Sequence, residues 1–437
     1  MSSDWPLKEL VLIADEVTVG FVGSMASEYV ESGVPFLRSL NIDQFRINMS
    51  DLKFVTPGFH QRIKKSTLRP GDVVIVRTGK PGTCAVIPDW LQEANCSDLV
   101  VVRCGKEIRP HFLCYWVNSV ATHHIESHTV GAVQQHFNVG AAKTMKVAVP
   151  ALHKQDQVVE LLKGIDDRIT ILRETNTTLE AIAQALFKSW FVDFDPVRAK
   201  QEGREPEGMD AATAALFPDS FEESELGPVP VGWLVTNCQK IIDVRDGTHE
   251  SPKSSPVGFP LITSRHITGG KINFDDTYLI SEQDYENISK RSKVHRLDVL
   301  ITMIGTVGLT VIVMEDEVEF AIKNIGLFKT SAVPHLCHYF YLLLSSSRMQ
   351  QYLEARLAGT TQKYLSLKAL REIAVLAPSE LVLGAFSKIV APVFERIHQN
   401  NSQAQTIATL RDTLLPRLIS GQLRLPDAET ILEVANA

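Results

Sequence analysis

Two clusters of cations carry the first chemical information in this 437-residue chain. Arg62, Lys64, Lys65 and Arg69 form one, and Lys290, Arg291, Lys293 and Arg296 the other. Basic side chains at this density hold phosphate oxygens when they face a polyanion; on a solvated loop they merely keep it in water. Either cluster alone fits the solvated loop, and it is their recurrence at equivalent places that argues for phosphates. No residue set for bond-making chemistry accompanies them, so no catalytic residue is expected. The sequence has no G-x-x-x-x-G-K-[S/T], no G-x-G-x-x-G after a strand and no H-E-x-x-H. It also lacks the Asn/Asp-Pro-Pro-aromatic tetrapeptide with which amino-methylating DNA enzymes hold a flipped base. His124 and His128 sit at helical i, i+4 spacing, where two imidazoles can share a metal. No further ligand is nearby, and the second half of the chain has Arg356 and its neighbours in that region. Surface or core histidines are expected there rather than a metal site. Gly79-Lys80-Pro81-Gly82 lacks the ending of a phosphate loop and returns as Gly305-Thr306-Val307-Gly308 without its lysine, so it reads as a turn.

The chain that positions these residues is written twice. Residues 5–191 and 233–419 repeat one pattern: Trp5, Asp15, Gly131, Gln134 and Pro150 match Trp233, Asp243, Gly359, Gln362 and Pro378, each pair 228 apart. Between these landmarks Gly33-Val34-Pro35-Phe36 returns as Gly258-Phe259-Pro260-Leu261, and Asp72-Val73-Val74-Ile75 as Asp298-Val299-Leu300-Ile301. There the offset slips to 225 or 226, as loop insertions and deletions would make it. So long a repeat exceeds the periods of solenoids and propellers, and is a whole domain plus its connector. A protein so built is suited to reading something that itself comes in two parts.

Each copy opens as an α/β (α+β) unit of short strands. The apolar runs Val73-Val74-Ile75-Val76 and Val299-Leu300-Ile301 leave through Gly-x-x-Gly, the pattern of a buried strand ending in a tight turn. After Pro150 and Pro378 the character switches to a long helix. Ile165, Leu172, Leu179 and Leu186 recur every seven residues in the first, with Leu161 and Ile182 between them; Val393, Asn400, Ile407 and Leu414 do so in the second, with Ile389 and Leu410 between. A 3.5-residue apolar spacing makes a helix that seeks a partner helix, and Asn400 is the kind of polar seam residue that fixes register. Gly164 and Pro392 coincide in the alignment and predict a bend or a late helix start. The helices either pack the domains together or act as a spacer holding two reading heads apart; two similar helices after two similar heads favour the spacer. The organisation expected is a first recognition domain over 1–150, a helical spacer over 151–195, an acidic linker over 196–228, a second domain over 229–378, a second helical spacer over 379–421 and a tail over 422–437.

Composition is that of a globular protein, 44% hydrophobic. No apolar run is long enough for a membrane helix and no basic-then-apolar leader opens the chain, so a cytoplasmic location and no membrane partner are expected. The six cysteines are scattered without a C-x-x-C pair and read as buried free thiols. A net charge of −7 is unusual for a protein that grips a polyanion. Residues 200–227, however, hold eight acids against Lys200 and Arg204. Nearly all the excess therefore sits in the linker, and the bodies of the repeats are close to neutral.

At its motifs the chain resembles the specificity subunit of type I restriction-modification enzymes, over nearly its whole length. Asp246-Gly247-Thr248-His249-Glu250-Ser251-Pro252 followed by Gly258-Phe259-Pro260 resembles the opening of many target-recognition domains, and Gly359-Thr360-Thr361-Gln362-Lys363 their closing loop. Ala185-Leu186-Phe187-Lys188-Ser189-Trp190-Phe191-Val192-Asp193-Phe194 resembles the end of the family's central helical region. Leu414-Leu415-Pro416-Arg417-Leu418-Ile419-Ser420-Gly421 resembles the end of its terminal one. The first domain departs more, with Gly20 to Ser24 in place of Asp-Gly-Thr-His and Gly131-Ala132-Val133-Gln134-Gln135 as its closing loop. The resemblance implies two tandem pseudo-repeated target-recognition domains, each followed by a long helix, the two helices pairing as an antiparallel coiled coil. It implies a non-catalytic subunit that binds a split double-stranded DNA target. Two methyltransferase (M) subunits that modify adenine would dock on it, with restriction/translocase (R) subunits able to join. No cofactor would lie in this chain; S-adenosylmethionine, ATP and magnesium would belong to the partners.

On that reading Arg38, Arg77 and Lys80 in the first copy, and Lys253, Arg265 and Lys363 in the second, lie in predicted loops beside apolar strands, where Arg and Lys hold phosphates or take guanine edges. Gln134, Gln135 and Gln362 can pair with adenine. Thr248, His249, Thr360 and Thr361 join the DNA-facing set through the motifs that contain them, alongside Lys64, Lys65, Lys290, Arg291 and Lys293. Two other classes stay open at this point: an enzyme with built-in DNA recognition, opposed by the missing catalytic motifs, and a protein-only scaffold, opposed by the repeated basic clusters.

Overall fold

The computed structural model describes residues 5–130, 136–359, 363–428 and 430. The chain divides into two compact units, Met1–Leu172 with Ser402–Ala437, and Arg173–Asn401. Each long helix begins in one unit and ends in the other.

In the first unit an antiparallel sheet has the order Cys84–Val86, Val73–Val76, Leu99–Cys104, Ala14–Val19. All four residues of Val73–Val76 are buried. An unbroken β-branched run is what a strand covered on both faces needs. A second sheet places Val34–Leu37 parallel to Ala94–Cys96. The second unit repeats this plan: Thr310–Ile312, Val299–Thr302, Ile325–Phe328 and Val244–Asp246 in the same order, and Phe259–Ile262 parallel to Ala321–Ile322. Each head is closed by its two ends, Leu7–Glu9 against Lys146–Ala148 and Leu234–Asn237 against Ala374–Ala377.

A buried carboxylate sits at the mouth of each central strand. Asp72 accepts the Arg69 backbone N–H at 3.0 Å and lies 3.5 Å from Arg103. Its counterpart Asp298 accepts the His295 and Ser331 N–H groups and pairs with Lys329 at 2.5 Å. Burial raises the Asp72 pKa, opposed by the Arg69 N–H and by Arg103.

The long helices run Leu152–Phe191 and Glu380–Ile419, 40 residues each, on the order of 60 Å at ~1.5 Å per residue. Gly164 and Pro392 lie inside unbroken helices, so neither helix starts late. In the first unit Ile165, Ile169 and Leu172 pack on Ala404, Ile407 and Ala408, and Asp166 pairs with Arg411 at 2.6 Å. In the second, Asn400 donates to Asn176 at 2.8 Å, and Asn176 donates to Asn401 at 3.0 Å and to the Ile397 carbonyl at 3.2 Å. Ala183, Phe187 and Trp190 share a core with Phe386 and Val390. Ascending numbers on one helix meet descending numbers on the other, so the pairing is antiparallel in both units. Leu179, Leu186 and Val393 are half-buried at its edge, and Leu414 is buried.

The seam differs from the expected one in its intervening positions. Ile182 and Ile389 are 56% and 48% exposed, while their neighbours Ala183 and Val390 are buried. Leu161 and Leu410 are half-buried. The positions that close the seam lie four residues after each heptad landmark, at Ile169, Asn176 and Ala183, and at Ile397, Ala404, Arg411 and Leu418. Two of these are polar and two are alanine, so apolar counting passed over them.

His338 is buried in the second unit, stacked on Phe394 at 5.1 Å, and its Nδ1 has no partner. Burial lowers its pKa from 6.5 to about 4. The fold therefore favours neutral imidazole: the contribution is full above 6.5, falls as pH drops toward 4 and levels off below. The first copy has Phe112 at this place, fully buried. His338→Phe is expected to flatten the stability of the second unit between those pH values, removing a slope of up to about 1.4 kcal/mol per pH unit in urea titrations. An unchanged slope would assign it to another group.

Candidate nucleic-acid interface

The opening loop of each head leaves its strand through a glycine that tolerates no side chain. A Cβ on Gly247 would lie 2.3 Å from the Ile322 carbonyl oxygen, and one on Gly20 2.7 Å from the Cys96 Sγ. Here the loop runs against the neighbouring sheet, where Thr248 and Phe21 form parallel bridges to Lys323 and Ser97. Gly20 thus takes the part of Gly247 although the following residues differ. The closing loops rise from matching pairings, Thr129–Val130 against His136–Phe137 and Ala358 against Tyr364, each bridged to the second residue past its central strand, Thr78 or Ile304. Gln134, Gln135, Thr360, Thr361 and Gln362 lie outside the described residues.

The sequence-selected cations separate into two kinds. Lys64, Lys65, Lys80, Lys253, Lys290, Lys293 and Lys363 are exposed and form no ion pair among the described residues; Lys290 donates only to Asn287, at 2.9 Å. Several arginines are paired within their own head. Arg38 donates to the Asp51 carbonyl and carboxylate at 2.5 and 2.9 Å, and Lys53 followed by Arg38 brings the Asp51 pKa down to about 2. Arg77, expected in a reading loop, is buried: it donates to the Phe137 carbonyl at 3.1 Å, pairs with Asp98 at 2.5 Å and meets His136. Arg265 donates to His266 and to the Asp276 carbonyl, and Arg296 bridges Asp316 and Glu395. Arg62 pairs with Glu28 over the Phe59 ring. Arg291 differs in its partner: its Nη2 meets the buried Asp246 carboxylate while the side chain remains 61% exposed.

A polar centre therefore stands at the same place in each head, around a residue in left-handed conformation. Asp98 (φ 45°) gathers Arg77 and Thr78, with His136 alongside. Asn324 (φ 55°) faces His249 at 2.8 Å, whose other nitrogen lies 3.1 Å from the buried Asp246. Asp246, His249, Asn324 and Tyr364 line a groove of about 420 Å³ with Met303, Ile304 and 365–367. Asp98, His136, Asp246 and Asn324 escaped the sequence reading as working residues. The signal was present: Asp and Asn, the residues most tolerant of left-handed backbone, stand 226 apart within the repeat.

The paired histidines of the first head stack ring on ring at 4.2 Å, and the His124 Nε2 lies 2.9 Å from the Ala141 carbonyl. All six cysteines are free, and five of them are buried. No described helix is long and apolar enough to cross a membrane.

Comparison with known proteins places these features. A family model described as the type I restriction modification DNA specificity domain matches residues 27–181. The HindI type I restriction enzyme specificity subunit of Haemophilus influenzae is 26% identical over 65% of this chain and 70% of its own length. The MjaIX specificity subunit of Methanocaldococcus jannaschii is 21% identical over 97% and 94%. Among solved structures, the type I restriction-modification S subunit from M. genitalium shares the fold, with a TM-score of 0.53 at 14% identity over 95% of this chain and 96% of that one.

The division between committed arginines and free lysines is testable by stability alone. Arg77→Ala strands Asp98 and is expected to lower the stability of the first unit by roughly 3 kcal/mol, the scale for breaking a buried pair. Lys80→Ala should leave it within about 0.5 kcal/mol. Equal effects in chemical denaturation would contradict the division.

Proposed function

We propose, from the premise that the chain belongs to the family of type I restriction-modification specificity subunits, that it is the DNA-reading component of such a complex. It binds a bipartite double-stranded target and catalyses nothing itself. Two M subunits methylate adenine where it directs them, R subunits cleave, and S-adenosylmethionine, ATP and magnesium reside on those partners, in the cytoplasm. The observation that carries this reading is the duplicated head. The same four-stranded sheet, parallel strand pair, opening glycine, closing-loop ladder and polar centre occur twice on one chain, which suits a target made of two half-sites.

Within this reading the exposed lysines supply phosphate contacts and the loops around the polar centres supply base contacts. Backbone contacts hold register while base edges carry the sequence. Lys64→Ala with Lys65→Ala should weaken binding to all sequences alike. If each lysine meets one phosphate, the slope of log affinity against log salt falls by about 2. A loss confined to one base position, with the slope unchanged, would count against phosphate contact.

The helices enter as a spacer. Adding one heptad to both, after Leu172 and after Asn400, lengthens each by about 10 Å and should widen the preferred gap between half-sites by roughly three base pairs at ~3.4 Å each. Selection from a randomised DNA pool by the complex with its M subunits tests both function and spacer. A bipartite motif is expected, with the gap widened and the half-site bases unchanged in the insertion variant. Absence of any sequence preference would overturn the function, and altered bases with an unchanged gap would overturn the spacer.

A further inference from the structure

Arg62, Arg265 and Arg291 are all exposed arginines held by a partner, and of these Arg291 is the one held by a buried carboxylate. It lies in the last turn of the helix Glu282–Ser292, whose Ser281 cap and acidic first turn start it firmly, and its guanidinium reaches the last residue of the strand Val244–Asp246. Asp246 is 3% exposed, and its two carboxylate oxygens serve different partners: Oδ1 takes the Arg291 Nη2 and Oδ2 faces the His249 Nε2. Arg245 adds a second tie, donating to the Arg291 carbonyl at 2.9 Å. A guanidinium has five N–H donors in a rigid plane, and the contact from Nη2 to a buried carboxylate restricts where that plane can lie and leaves the other donors free. A fixed fork is what the O6 and N7 acceptors of guanine require, whereas a phosphate is satisfied by a flexible lysine.

The first head has no such device at the equivalent position. Lys65 occupies the position equivalent to Arg291, and Val19 the position of Asp246. The Lys65 ammonium is exposed with no ion partner among the described residues. One repeat position thus holds an unanchored ammonium in one copy and a buttressed fork in the other. A role in general phosphate binding would need neither the buried carboxylate nor the exchange of lysine for arginine.

We propose that Arg291 is a specificity-determining residue that reads a guanine in the half-site of the second head, and that Asp246 is the positioning residue that aims it. This rests on the DNA-reading function proposed above. The experiment is selection from a randomised duplex pool by the complete complex with M subunits, using the native chain, Arg291→Lys and Asp246→Asn, followed by binding titrations on the selected site and single-base variants. The native complex should require guanine at one position that both substitutions relax, by about 10- to 100-fold in discrimination. The other half-site should keep its preferences, and the salt slope should be nearly constant because Arg291→Lys retains the charge. Thermal unfolding of Asp246→Asn separates misfolding from misaiming, and Arg291→Lys leaves the carboxylate in place as an independent arm. Unchanged base preference in Arg291→Lys, or a uniform loss over all sequences with a smaller salt slope, would overturn the inference and leave the DNA-reading function standing. A native complex with no sequence preference would overturn the function itself.

Discussion

The core of each unit is completed by a helix end that the chain delivers from far away in sequence. Leu414, Leu415, Leu418 and Ile419 pack among Leu10, Phe112 and Leu162 in the first unit, and Phe187, Trp190 and Phe191 among Trp233, Tyr339 and Phe386 in the second. Even the second residue past the helix Glu380–Ile419 is committed, since a Cβ on Gly421 would lie 2.8 Å from the Trp5 ring. Burying a large apolar side chain contributes roughly 2 kcal/mol, so four of them match the whole net stability of a typical domain. The first unit is therefore incomplete until residues 414–421 have been made. Contacts this distant in sequence also make folding slow relative to a local bundle.

Within that frame the polar residues set register. An apolar seam alone accepts several alignments one turn apart, whereas a misaligned Asp166–Arg411 pair or Asn176–Asn400 layer leaves buried groups without partners. Tyr115 donates to Asp166 at 2.6 Å, and the Arg411 cation lies over the Phe45 ring at 4.6 Å, so the seam of the first unit is tied to its head. Tyr341, the counterpart of Tyr115, donates to Glu180 in the second unit and packs edge-on against Phe394. Both heads thus grip their helices through a tyrosine hydroxyl on a helix carboxylate, and each adds an aromatic contact, a cation over a ring in the first and two rings edge to face in the second.

The duplication was legible because landmark glycines, prolines and apolar runs survive at a near-constant offset, and it carried the sheets, the long helices and their partnership with it. What it concealed were properties set by three-dimensional neighbours. Arg77 follows a buried strand and reads as a loop cation, yet Asp98 and the Phe137 carbonyl, 21 and 60 residues further on, draw it inside. Ile182 and Ile389 look like seam residues by hydrophobicity, but helix geometry turns them outward and presents Ala183 and Val390. Periodicity ranks residues by type, and a close-packed antiparallel pair selects also for size and for a polar partner opposite.

The pairing of each head's two ends has a consequence for how such proteins diversify. Leu7 lies opposite Ala148 and Leu234 opposite Ala377, so the chain enters and leaves each head at neighbouring points on one short ribbon. Everything between them is topologically a single excursion from the helical frame. A foreign head with the same ribbon can replace it without rerouting the chain, provided its inner face accepts the incoming helix end. The head is thus an exchangeable cassette, and recombination at two ribbons could assort half-site preferences independently of the frame that carries them.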